Sequence, residues 1–91
     1  MKLRQIASNQ TELVLRTNSK AFSDFETDYT ILFSYQTPVA CHVAGVGYFK
    51  TSKKWSVTTS KHINAWLREN DATSVAEVSQ ETFDALCAER A

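Results

Sequence analysis

The spacing of apolar positions along this chain changes character at one point, near residue 58. Before it the pattern is that of strands. In Tyr29–Gln36, Ile31, Phe33 and Tyr35 alternate with Leu32, Ser34 and Gln36, and most of these residues are β-branched or aromatic. Thr37-Pro38 interrupts the run, because proline lacks an N–H and restricts the residue before it, so a bend or a sheet edge is expected there. Val39, Cys41 and Val43 resume the alternation as a second strand. Gly45-Val46-Gly47 supplies a turn, since glycine takes positive φ at little steric cost. Tyr48 to Trp55 then returns as a third strand, with Tyr48, Lys50, Ser52 and Lys54 on one face and Phe49, Thr51, Lys53 and Trp55 on the other. Upstream, residues 2–7 and 12–17 carry Leu3, Ile6, Leu13, Val14 and Leu15 on either side of the polar cluster Ala7-Ser8-Asn9-Gln10-Thr11, which predicts a hairpin. Residues 18–28 read as an ordered loop, pinned by Phe22 and Phe25 in the core.

After residue 58 the period becomes helical. Ile63, Trp66 and Leu67 fall at i, i+3 and i+4, and Lys61, Asn64, Ala65 and Arg68 form the opposite, polar stripe. Thr58, Thr59 or Ser60 would cap the start and Asn70 or Asp71 the end, giving a helix over about 59–69. Residues 72–78 predict a short strand. Residues 79–89 predict a closing helix, with Ser79 as N-cap and Phe83, Leu86 and Cys87 as its apolar stripe. The whole is a single α+β domain over 1–91: a small antiparallel sheet of about four to five strands with two helices packed on it.

Composition adds little until charge is placed along the chain. Ninety-one residues, 43% hydrophobic and 22% charged, describe one ordinary globular domain. The formal net charge is zero, which argues against a protein that coats DNA by bulk charge. Yet the charge comes in blocks: +3 over residues 1–23, −3 over 24–28, +5 over 29–68 and −5 over 69–91. The stretch 29–68 also holds the only proline, both glycines and seven of the ten aromatic residues, with no carboxylate. Folding can intermingle such blocks, so their order alone does not define a charged face. The first residues, Met1-Lys-Leu-Arg-Gln-Ile6, lack the apolar run of about 7–15 residues of a secretory signal. No segment approaches the roughly 18 apolar residues of a membrane helix. A cytoplasmic protein is the expectation, with Cys41 and Cys87 as buried small hydrophobes.

Catalysis is not expected. Cys41 and His42 are strand neighbours and face opposite ways; Gly45-Val46-Gly47 lacks the flanking residues of a phosphate loop. A metal is not expected either, because Cys41, His42, His62 and Cys87 lack the close pairs of a zinc site, and no cofactor is implied. Binding remains. Lys50, Lys53, Lys54, Lys61 and Arg68 lie interleaved with Tyr48, Phe49, Trp55 and Trp66. Cations suit phosphates or an acidic partner, and aromatic faces suit bases or interfaces, with Tyr48 and Trp55 the candidate anchors beside Tyr35. Thr59 and Ser60, at the expected helix start, are the candidate anion seat. The plainer account is that these aromatics are core and the lysines a solvated rim.

The phrases Ser34-Tyr35-Gln36-Thr37-Pro38-Val39-Ala40, Gly47-Tyr48-Phe49 and Thr58-Thr59-Ser60-Lys61-His62-Ile63-Asn64-Ala65-Trp66 resemble a small domain of unknown function encoded by bacteriophages, archaeal viruses and mobile elements. The resemblance covers residues 29–68 and carries no catalytic residues. It implies a non-catalytic viral accessory protein acting by macromolecular binding, with no membrane role. The partner would be nucleic acid, held on a basic face over 48–68, or alternatively a host protein, such as a defence protein that it inhibits. A homodimer is compatible with either.

Overall fold

The computed structural model describes residues 2–7 and 10–88. The order is β1 (Lys2–Ala7), β2 (Gln10–Thr17), β3 (Thr27–Ser34), β4 (Thr37–Val43), β5 (Gly47–Thr51), α1 (Val57–Glu69), β6 (Val75–Val78) and α2 (Gln80–Ala88). The α+β class is as the sequence predicts, and the strands form one six-stranded sheet in the order β1-β2-β3-β4-β5-β6. Four of its joints are antiparallel; the fifth, β5 with β6, is parallel, so the sheet is mixed rather than antiparallel throughout. A parallel pair needs a crossover, and α1 is that crossover. Ser8 and Asn9 of the first turn, the side chains of Leu3 and Ile6, and Glu89 at the expected end of the last helix lie outside the described residues.

The two helices cover opposite faces. Strand alternation sends Leu15, Tyr29, Ile31, Cys41 and Val43 toward Phe83 and Leu86 of α2. It sends Leu32, Val39 and Ala40 toward Ile63, Trp66 and Leu67 of α1. Val39 therefore does not share a face with Cys41 and Val43. The cause is a bulge: Leu32 pairs with Ala40 but Phe33 pairs with Pro38, so Val39 is an extra residue in β4. Pro38 sits at this irregularity, where its missing N–H matters least, and its carbonyl accepts from Gln80 Nε2 at 2.7 Å.

The loop before β3 is pinned differently from what two phenylalanines in one loop suggest. Phe22 is buried against Tyr29, Phe49 and Phe83. Phe25 is 48% exposed and lies over Gly45. Its place as an anchor is taken by the buried Tyr29 hydroxyl, which lies 2.7 Å from Ser23 Oγ and itself accepts from the Ser19 N–H at 3.3 Å.

Candidate functional site

Strand β5 ends earlier than its sequence suggests. The Thr51 hydroxyl accepts the Lys53 N–H at 3.2 Å, a side-chain turn that breaks the ladder after Thr51. Ser52, Lys53 and Lys54 are thus turn residues that climb from the sheet to α1. Ser56, extended at φ −61° and ψ 164°, caps α1 by accepting the Thr59 N–H. The helix begins at Val57, ahead of the expected start.

This arrangement makes a groove between the C-terminal end of β5, the edge strand β6 and the first turns of α1. Its volume is about 300 Å³, and Lys50, Lys53, Lys54, Ser60, Asn64 and Glu77 line it among others. Lys50 follows Tyr48 on the α1 side of the sheet and pairs with Glu77 at 3.8 Å. Such a partly exposed pair is worth ~0–1 kcal/mol, and Glu77 is one carboxylate against the three lysines of the groove, which stays cationic. Lys53 Nζ lies 4.3 Å from the centre of the Trp55 ring. Among the described residues Lys53, Lys54, Lys61 and Arg68 have no carboxylate within 4.0 Å.

The buried positions of α1 are Thr59, Ile63, Trp66 and Leu67, which fix its inward direction. At 3.6 residues per turn Lys61 then stands on the solvent crest, with Arg68 within about 20° of it and about 10 Å further along the axis. Ser60 and His62 lie on opposite flanks. The structure therefore brings Lys50, Lys53 and Lys54 into one groove and places Lys61 and Arg68 on the helix that walls it, all on the α1 side of the sheet. The exposed acids of α2, Glu81 and Asp84, are on the other side.

Three expectations are revised. Thr59 and Ser60 are not at the helix start: Thr59 is 6% exposed, its hydroxyl lies 3.1 Å from Ser34 Oγ, and the Ser60 N–H bonds to Ser56 O. Ser60 contributes only its side chain, to the groove. Tyr48 is not an open stacking surface. Its ring is 4.4 Å from that of His42, meets Trp66 edge-on, and its hydroxyl donates to Asn70 O. Trp55 is half-buried, donates from Nε1 to Gln80 Oε1 at 3.1 Å, and carries Lys53 on its face.

Two features go beyond the sequence reading, one a side-chain contact and the other a backbone conformation. Ser34 Oγ lies 2.8 Å from His62 Nδ1, the spacing of a nucleophile and its base. Ser34, however, is 2% exposed beneath α1 and shares its hydroxyl with Thr59, so the trio is a buried polar tie between β3 and α1. The second is Tyr35, at φ +59° and 51% exposed in the two-residue loop joining β3 to β4. A bulky residue in that backbone region costs about 1–2 kcal/mol. Both thiols are held toward the neutral form: burial, then the proximity of Cys87, pushes Cys41 up to about 12, and burial, then Asp84, pushes Cys87 up to about 11.

Among the described residues, no helix is long and apolar enough to cross a membrane, and no three of His, Cys, Asp and Glu converge as a metal site would require. No curated protein and no solved structure matches this chain. A family model does match, over residues 1–85: the chain belongs to a family of unknown function, DUF8033.

Proposed function

We propose that this domain is a non-catalytic accessory protein that binds the phosphate backbone of nucleic acid through the groove of Lys50, Lys53 and Lys54, with Lys61 and Arg68 extending the cationic face along α1. The observation that carries this reading is the convergence of three lysines with Ser60 and Asn64 in one groove containing Glu77 as its counter-charge. Ammonium groups neutralise phosphates; hydroxyl and amide side chains add neutral hydrogen bonds that position a backbone. A viral or mobile-element origin, suggested by the phrases between residues 34 and 66, fits a small binding protein working in a host cytoplasm.

Salt dependence of binding is the test. Three to five lysine and arginine contacts to a single strand give a slope of log Kobs against log salt of about −2 to −3.5, at roughly −0.7 per neutralised phosphate. Replacing Lys53 and Lys54 together by glutamine is expected to bring the slope toward zero by about 1.4. A slope that does not respond to this pair removes the groove from the reading. A second reading, binding and inhibition of a host protein, is favoured by the exposed neighbours Phe25 and Val46 at the opposite end of the sheet. Recovery of a host protein from nuclease-treated lysate, lost on Phe25→Ser, would support it.

A further inference from the structure

We infer that Tyr35 is the platform for one unpaired nucleobase, so that the ligand of the lysine groove is a single strand; this rests on the nucleic-acid reading above. The starting point is a side chain the fold does not need. Tyr35 occupies a left-handed position, φ +59°, in a loop closed by the pairing of Ser34 with Thr37. Two-residue hairpin loops favour Gly, Asn or Asp at such positions. The strain is not offset by burial, because the ring stays 51% exposed. Its ring neighbour is His62, at 6.0 Å between centres and tilted by 42°, which steadies one side of the phenol. Strain held at an exposed aromatic points to a ligand rather than to packing.

The surroundings suit a base and not a phosphate. Tyr35 lies in a shallow depression of about 660 Å³ with Gln5, Thr11, Gln36 and Thr37. Among the described residues no charged side chain lines it. The Gln36 amide and the hydroxyls of Thr11 and Thr37 are donors and acceptors of the kind that meet base edges. The other aromatics of this half of the molecule are engaged, Tyr48 with His42 and Trp55 with Lys53. Tyr35 is thus the open ring on this side of the fold.

The two subsites are joined by α1. His62, against Tyr35, and Ser60, in the lysine groove, are on opposite flanks of the same helical turn, with Lys61 on the crest between them. A helix with its side chains is about 10–12 Å across. A strand crossing the start of α1 would pass from Lys50, Lys53 and Lys54, over Lys61, to Tyr35 within a few nucleotides. A duplex keeps its bases stacked inward and could use the lysines but not the tyrosine.

The experiment measures anisotropy of a labelled 12-nucleotide single strand, a blunt duplex of the same sequence, and an abasic strand of equal charge. Proteins are the wild type, Tyr35→Asn, Tyr35→Phe and the Lys53→Gln/Lys54→Gln pair. Asparagine tolerates the left-handed backbone, so Tyr35→Asn is expected to melt at or above the wild-type temperature and to lose only the ring. The expected result is tighter binding of the single strand than of duplex or abasic strand. Tyr35→Asn should weaken single-strand binding roughly 5- to 150-fold, the range of base–aromatic stacking. The same change should leave the abasic affinity and the salt slope as they were, and Tyr35→Phe should stay near wild type. If Tyr35→Asn binds the single strand as wild type does while the lysine pair weakens it, the inference fails and the groove stands. If wild type binds none of the three in a salt-dependent way, the groove reading fails and the base platform with it.

Discussion

The groove has a wall only because α1 is tied down, and the tie with the longest reach in sequence is between Trp66 and Glu12. Trp66 Nε1 donates to Glu12 Oε2 at 2.6 Å, with both residues buried, joining α1 to β2. Trp66→Phe deletes the donor while keeping an aromatic ring in place. A hydrogen bond to a charged group contributes ~1.5–3 kcal/mol, and the ring atoms lost from a site 2% exposed add about 1 kcal/mol of packing. The expected cost is therefore about 3 kcal/mol, a large share of the ~5–15 kcal/mol that stabilises a domain. For a chain of this length that is a fall in Tm on the order of 12–24 °C. Glu12→Gln keeps an acceptor of the same shape and removes the charge, so it should cost about 1 kcal/mol and make Trp66→Phe cheaper. Urea denaturation followed by circular dichroism on the four proteins of the cycle gives the coupling, expected near 1 kcal/mol. If the two changes add within about 0.3 kcal/mol, and Trp66→Phe costs no more than its packing share, the indole–carboxylate bond does not hold the helix and this account of the wall is wrong.

Other consequences are simpler to state. Tyr29→Phe removes the hydroxyl that holds Ser23 and Ser19, at a cost of about 1–2 kcal/mol, and amide exchange should rise first in residues 19–26. Asp71 sits at φ +54° just after α1, with the Ala72 N–H bonded to Leu67 O and its own N–H to Arg68 O, so Asp71→Gly should stabilise by about 0.5–1 kcal/mol in a thermal melt. Gly45→Ala should destabilise by about 1 kcal/mol, because φ is +83°, a backbone region that alanine adopts only with strain. Cys41, pushed up to about 12 by burial and then by Cys87, stays a thiol in the fold while the unfolded chain ionises near 9. Its contribution is complete below about pH 9 and is lost as pH rises toward 12, because there the unfolded state binds fewer protons. The slope is about 1.4 kcal/mol per pH unit, and Cys41→Ala should flatten the alkaline limb by that amount in denaturant titrations.

Elements with a strong internal period are legible in the sequence. The apolar stripe of Ile63, Trp66 and Leu67 marks α1 and the Gly45–Gly47 turn marks the β4–β5 hairpin, although the helix starts at Val57 rather than near residue 59 and β5 stops at Thr51 rather than Trp55. What stays hidden depends on a choice between equals. Phe22 and Phe25 are the same residue in the same loop, and only the position of Tyr29 decides which is buried. Ser56, Thr58, Thr59 and Ser60 are all capable caps; Ser56 wins because Thr59 is drawn inward to Ser34 as a further turn of the buried stripe. The face of Val39 is set by a bulge that alternation cannot foresee. The partner of β6 is set by a contact across the whole of α1, and four residues, Val75–Val78, carry too little pattern to name it. Tyr35 is visible as an aromatic, but nothing in Tyr-Gln announces a left-handed turn.

The parallel joint also explains how a chain of zero net charge acquires a cationic side. The five positive residues of the stretch 29–68 lie on β5, the turn after it and α1, and the crossover lifts that segment onto one face of the sheet. The acidic block begins as α1 ends. It must return to the sheet to pair β6 beside β5, and in doing so it delivers Glu77 opposite Lys50 as the counter-charge of the groove. It then continues into α2, which packs on the far face and carries Glu81 and Asp84 away from the lysines. Had β6 paired antiparallel through a short turn, α1 would not bridge the two strands and the blocks would meet edge to edge. The separation of charge is therefore a property of the connection, and it predicts that Glu77→Gln, which removes the acid the crossover brings in, strengthens polyanion binding without altering the fold. At one exposed charge the gain should be a few-fold at low salt and vanish near ~0.5 M, where the Debye length falls to about 4 Å. An unchanged affinity at low salt would mean that the polyanion does not reach the groove.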